Sequence, residues 1–138
     1  MAKTILQTVR FNVPPERLYD IYTDSGKHSA ATDSRASISR RVGGRFTAHD
    51  GWIRGKNLVV VPKRLIVQSW RGADWKKTEL DSILILTFSG ARGGARLTMV
   101  HANVPERWYA GISRGWNTYY WKRWRAYFRR AARPDRTR

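Results

Sequence analysis

The segment PERWYAGISRGWNTYYWKRWRAYF, from Pro105 to Phe128, constrains the fold of this chain more than any other, because it holds four of the seven tryptophans and four of the six tyrosines. In an α-helix, residues three and four apart share a face. Trp108, Ile112, Trp116, Tyr119, Tyr120 and Tyr127 then fall on one side, and Trp121, Trp124 and Phe128 widen it. A helix apolar over so much of its circumference cannot bury only a narrow seam, so a large concave surface has to receive it. Arg123 falls inside the same arc, where a guanidinium needs an anionic partner or a route to water.

The rest of the chain reads as such a surface. Thr4 to Val13 is β-branched and alternating, which predicts a strand. Pro14 and Pro15 end it and pre-set a helix in which Leu18, Ile21 and Tyr22 share a face, stopping near Ser25-Gly26. Lys27 to Ala31 reads as a further short helical turn. From Arg35 the period becomes two, and about six strands follow, separated by turn signals at Gly43-Gly44, Asp50-Gly51, Pro62-Lys63, Gly72 to Glu79 and Gly90 to Gly94. Short connections favour antiparallel neighbours. The expected architecture is α+β: a curved antiparallel sheet of about seven strands, wrapped around the long C-terminal helix, with two short helices after the first strand.

A chain of 138 residues is the size of one domain. We expect that domain to span residues 1–128, followed by a basic, disordered tail over 129–138. The segment contains no apolar run of about 18 residues and no secretory h-region at its start, which points to a cytoplasmic protein without a membrane span. With no cysteine, a disulfide framework, a thiolate nucleophile and a cysteine zinc site are excluded. The net charge of +17 raises acidic partners and nucleic acid. From Pro105 onward ten Lys/Arg face only Glu106 and Asp135. Because no helix-turn-helix, RNP or zinc-finger pattern accompanies the charge, an acidic protein partner fits better than specific nucleic-acid recognition.

Chemistry-bearing residues are sparse. His28, His49 and His101 lie far apart in sequence, with no helical i, i+4 metal pair. His101, at the end of the last strand, reads as a structural hydrogen-bonding residue, and His28 as a solvated residue or the edge of a cavity mouth. Asp81 is placed to answer Arg71. Ser25 and Ser113 lack a nucleophile elbow, and the glycine clusters lack the setting of a phosphate loop. No metal, cofactor or catalytic group is predicted. Trp52 and Trp70 belong to the sheet, and aromatic walls with few polar groups are the usual small-molecule site. The candidate cavity residues are therefore Trp52, Trp70, His28, His101, Trp116, Tyr120 and Arg123. A cavity of this kind takes a small apolar or amphipathic ligand. A protein-interaction module is the alternative, and a cyclase or hydratase the third, requiring His28, His101 or an acid to face the cavity.

The segments LYDIYTDSGKHSAATDSRASIS, VGGRFTAHDGWIRGKNLVVVPKRLIVQSWR, DSILILTFS and HANVPERWYAGISRGWNTYYWKRWRAYF together resemble the homologues of the heat-shock-protein-90 ATPase activator, C-terminal-domain type, within the START-like (SRPBCC) superfamily. The resemblance runs from about Val9 to Phe128. Its most specific parts are Gly43 to Asn57, Ile66 to Arg71 and Val104 to Trp121. It implies a helix-grip fold around a cavity open to one side, in a monomer or homodimer, and functions as different as ligand carriage, cyclisation and co-chaperone action. It does not include the separate N-terminal domain of the eukaryotic co-chaperone, so chaperone activation is not what it favours. Relatives often carry a proline at the position of Arg123; without it, the helix is expected to run straight from Pro105 past Phe128.

Overall fold

A computed structural model of the chain describes residues 1–132. β1 (Lys3–Phe11) is followed by α1 (Pro15–Thr23) and α2 (Ser25–Thr32), then by β2 (Ser37–Ile38), β3 (Arg45–Ala48), β4 (Ile53–Val61), β5 (Leu65–Gly72), β6 (Ser82–Ala91) and β7 (Gly94–Val104). The chain ends in a long helix built from α3 (Glu106–Gly115), a wider π-helical turn (Trp116–Trp121) and α4 (Lys122–Ala132). The strands form one seven-stranded sheet in the order β1-β7-β6-β5-β4-β3-β2, with every neighbouring pair antiparallel. This is the helix-grip arrangement. No helix among the described residues is long and apolar enough to cross a membrane.

The period-two pattern sorts the sheet into faces. Ile66, Gln68 and Trp70 of β5, Leu84, Leu86 and Phe88 of β6, and Leu97, Met99 and His101 of β7 point inward and are buried. Register carries the pattern across strands: Leu84 pairs with His101 and with Gln68, and Leu86 with Met99 and Ile66. Bulges at Lys3/Ile5 and Asn57/Val59 bend the two sides of the sheet. Asn57 is the pin of the GG-to-Asn stretch. Its side-chain amide donates to the Ser39 and Arg41 carbonyls, and its backbone exchanges bonds with Gly43 and Gly44. Gln68 donates to the Asn57 amide oxygen and accepts from the Tyr22 hydroxyl, so α1 is tied to the sheet through a buried polar chain.

The C-terminal helix departs from the straight helix expected. Its wider turn carries an i→i+5 bond, from the Lys122 N–H to the Asn117 carbonyl. One extra residue in a turn rotates everything downstream by about one position. Before the turn the buried stripe runs through Ile112 and Trp116; after it, the stripe continues through Tyr120, Trp121, Trp124 and Phe128. Arg123 and Tyr127, which uninterrupted helical spacing puts on the stripe, move to its flank. Gln7 of β1 serves the same region, donating to the Ser113 carbonyl and accepting from the Trp121 indole N–H. The basic segment expected from residue 129 begins inside α4, which continues through Arg129 and Arg130 to Ala132; residues 133–138 lie outside the described residues.

Candidate functional site

The inner face of β5 and the indole-bearing face of α3 do not meet completely. Between them lies an apolar pocket of about 250 Å³. Trp70 on β5 and Trp116 and Tyr120 on the π turn are buried and make its floor. Trp52 from the β3–β4 turn and Trp108 of α3 form the sides, and Tyr119, 48% exposed, stands at the rim. Ile53, Ile112, Gly111, Gly115 and His49 complete the wall. The rings meet edge to face or tilted, which suits their quadrupoles: Trp52 lies 6.3 Å from Trp70 and 5.8 Å from Trp108, and Trp116 lies 4.7 Å from Tyr120.

The position of each ring follows from its polar edge. The Trp52 N–H donates to Asp74 at 2.9 Å, which fixes the indole over the end of β5. Gly72 makes room there, since a Cβ on it would stand 2.7 Å from both Trp52 and Trp75. The Trp116 N–H donates to His101 Nδ1 at 3.1 Å, so this nitrogen is the acceptor and the proton sits on Nε2. His101 Nε2–H then donates to Ser82 Oγ at 2.8 Å, and the Ser82 hydroxyl donates to the Trp70 carbonyl at 2.7 Å. The Tyr120 hydroxyl donates to His28 Nε2 at 3.0 Å, and His28 Nδ1–H donates to the Tyr22 carbonyl at 2.8 Å. Both imidazoles are thus neutral with a fixed tautomer. Burial pushes His28 down to about 4 and His101 down to about 3. Burial likewise raises the Tyr120 phenol well above its ordinary range.

The loop after β5 is strapped to α3. Arg107 donates twice to the Glu79 carboxylate, at 2.8 and 2.9 Å, while its guanidinium lies 4.7 Å from the Trp108 ring. The hydrogen bonds from Arg107 hold the Glu79 carboxyl down at about 2. Arg71 donates to the Glu79 and Lys76 carbonyls and pairs with Asp81 at 2.9 Å, the partnership expected from the sequence.

Of the seven candidate residues, Trp52, Trp70, Trp116 and Tyr120 line the pocket. His28 and His101 do not. They stand behind Tyr120 and Trp116 as their hydrogen-bond acceptors, and His28, read as solvated, is 1% exposed. Arg123 also lies outside the wall. Its partner is neither an anion nor water alone but the Thr32 carbonyl at 2.7 Å, at the C-terminal end of α2 where unpaired carbonyls and the helix dipole favour a cation. Its guanidinium rests 5.5 Å from the Tyr119 ring. Sequence reasoning did not nominate the other seven wall residues, His49, Ile53, Trp108, Gly111, Ile112, Gly115 and Tyr119. Nothing in the sequence marked His49, because an Asp-Gly turn asks for positive φ at Asp and Gly and not at the residue before them; its φ of 51° is seen only in the structure.

No cluster of three or more His, Cys, Asp or Glu side chains capable of holding a metal occurs among the described residues. Among the described residues, no Asp, Glu, Lys or Arg lines the pocket.

Comparison with known proteins agrees with this geometry. The family model described as "Activator of Hsp90 ATPase homolog 1-like protein" matches residues 12–129. The chain is 30% identical over 112 residues to the human activator of 90 kDa heat shock protein ATPase homolog 1, covering 81% of this chain and 33% of that protein. It therefore spans about a third of the length of the curated relatives it matches. The crystal structure of an HSP90 activator from Plasmodium falciparum superposes with a TM-score of 0.80 at 23% identity, over 86% of this chain and 91% of that one. The solution structure of the Aha1 dimer from Colwellia psychrerythraea superposes with a TM-score of 0.75 at 14% identity, over 87% and 92%.

Proposed function

The chain belongs to the Activator of Hsp90 ATPase homolog 1-like family, and from that premise together with the aromatic pocket we propose that this protein is a cytoplasmic carrier or sensor that binds a small apolar or amphipathic molecule between its C-terminal helix and its sheet. The observation that carries the reading is the pocket itself: tryptophans that would be expected to fill the groove instead surround an open space of about 250 Å³. Interiors normally pack without such voids, and the empty cavities that do persist are apolar and receive apolar guests. The residues that a cyclase-like mechanism was expected to place in the wall, His28 and His101, are instead committed to Tyr22, Tyr120, Ser82 and Trp116, so binding without covalent chemistry is the simpler use of the site.

Native mass spectrometry after incubation with a panel of small apolar compounds tests the proposal. The expected result is one-to-one adducts that vanish in Gly111→Leu, because Gly111 lines the pocket and a Cβ placed on it meets nothing within 4 Å. No adduct from any compound would remove the reading.

A second reading has its own support. The relatives are named as activators of a chaperone ATPase, and this chain carries +17, with Lys122, Arg125, Arg129 and Arg130 turned to solvent on or beside α4. A protein-interaction module docking on an acidic partner fits that surface. Its test is affinity capture at low and moderate salt: a specific acidic protein retained at the lower and weakened at the higher supports it, and retention of none counts against it.

A further inference from the structure

Resting on the pocket-binding reading, we infer that the preferred guest is an uncharged, apolar molecule carrying one hydroxyl or carbonyl group, and that this group hydrogen-bonds to the His49 imidazole. Three observations converge on that ring. The first is its backbone. His49 and Asp50 adopt φ of 51° and 58°, followed by Gly51 at 93°, in a tight turn closed by the Gly51 N–H on the Ala48 carbonyl at 3.2 Å. Left-handed backbone costs an L-residue with a Cβ on the order of 1 kcal/mol, and Gly or Asn meets it more cheaply. The turn is nonetheless locked, since Asp50 accepts from the Arg35 N–H at 2.8 Å and donates its own N–H to the Arg35 carbonyl at 3.0 Å. A histidine held there by its neighbours is a strained residue inside a pocket wall, and strain of that kind collects at functional positions.

The second observation is hydrogen-bond supply. His28 and His101 have both ring nitrogens paired. The Trp52 and Trp116 N–H groups and the Tyr120 hydroxyl are likewise committed to Asp74, His101 and His28, and the Trp108 N–H is unpartnered but fully covered. Of the remaining wall groups, the Trp70 N–H can only donate and the Tyr119 hydroxyl stands at the half-exposed rim, so His49 is the inner-wall group able both to donate and to accept. Among the described residues no hydrogen bond reaches either nitrogen of His49, although its ring lies 5.6 Å from Tyr119 and 5.3 Å from Tyr120 within the wall. A neutral imidazole offers one donor and one acceptor, which is the complement of a hydroxyl and accepts a carbonyl equally well.

The third is charge. Burial, then the nearby Arg123 cation, holds His49 below its usual range, with Asp50 opposing; the other groups that face it are the neutral phenols of Tyr119 and Tyr120, with neutral His28 behind. An anion entering the pocket would feel the positive field of the molecule but would lose hydration without a direct partner, since the nearby Arg123 stands outside the wall and donates to the Thr32 carbonyl. A cation would meet Arg123 and a molecule of strongly positive charge. A neutral polar group loses least.

NMR titration at neutral pH with 2-naphthol, naphthalene and 2-naphthoate separates the outcomes. We expect 2-naphthol to bind about 2- to 10-fold tighter than naphthalene, the worth of one hydrogen bond, with the His49 ring nitrogens shifting only for the naphthol. His49→Gly, which relieves the backbone and removes the imidazole from the wall, should abolish the preference for the naphthol and leave the two compounds with equal affinity. If that variant fails to fold, His49→Asn, tolerant of positive φ and too short to reach, should do the same. Equal affinity for naphthol and naphthalene in the unaltered protein, or tightest binding of naphthoate, overturns the inference and leaves the pocket reading standing. Failure of all three probes to move pocket resonances overturns both.

Discussion

The two halves of the C-terminal helix both carry a tryptophan beside a further aromatic residue, and they do opposite things. Beyond the π turn, Trp124 is fully buried and sits 5.9 Å from Phe11 and 6.3 Å from Tyr22, with Phe128 closing the end. Before it, α3 buries Ile112 alone, and its tryptophan, Trp108, flanks an open pocket. Aromatic content therefore does not distinguish core from site. What does is whether the opposing rings meet: Phe11 of β1 packs directly on Trp121, Trp124 and Phe128, while Trp70 of β5 and Trp108 of α3 each meet Trp52 at the side of the pocket and the space between them is left open.

Truncation is the largest way to break that comparison. Trp124→Ala should cost about 3–5 kcal/mol, the toll of emptying a packed indole site, whereas Trp108→Ala should cost about 1 kcal/mol, in the range of a half-buried residue. Urea denaturation of the pair reads the difference. Equal losses would mean that both halves are core and that the pocket is incidental.

Acid should act next, through the residues beneath the pocket floor. His28 and His101 titrate at about 4 and about 3 when folded, against an ordinary 6.5. The unfolded chain therefore takes up protons first. Stability is full above about pH 6.5 and falls as the pH drops toward the folded values, at up to about 1.4 kcal/mol per pH unit for each ring. The denaturation midpoint measured between pH 7 and pH 4.5 should fall steeply. A flat profile would mean that these imidazoles are not held neutral by burial.

A third substitution separates stability from binding. Gly111→Leu removes a helix-interior glycine, which alone is worth up to about 1 kcal/mol in favour of the fold, and directs a side chain into open space beside the pocket. Its melting temperature should hold or rise while ligand adducts disappear. A variant that still binds would show that the guest sits elsewhere.

How far these features could be read from sequence follows the same divide. The strands were visible because one-sided burial imposes a period of two, and most turns announced themselves with Gly, Pro or Asp-Gly. Trp70 and Trp116 could be nominated because each lay on a predicted inward face. The π turn left no sign, since WNTYYW contains neither proline nor glycine, and a one-residue offset is invisible to a periodicity taken over the whole helix. That offset is why Arg123 was placed among the rings. His49 was hidden by its own turn: Asp50-Gly51 explains the hairpin so well that the residue before it drew no separate account.

Arg123 gives the smallest and most discriminating test, because it stands where the two halves of the helix meet. It donates to the last turn of α2 and lies against Tyr119, two interactions each worth about 0.5–1 kcal/mol at a partly exposed site. Arg123→Ala should therefore destabilise by about 1 kcal/mol, well below Trp124→Ala. Its second effect is specific. Arg123 depresses His49, so its removal should move the His49 titration upward, followed by the imidazole NMR signals, while His28 and His101, governed by burial, stay where they are. An upward shift confined to His49 ties the guanidinium electrostatically to the pocket. No shift would confine Arg123 to holding α2 against α4, and the pocket's electrostatics would then rest on burial alone.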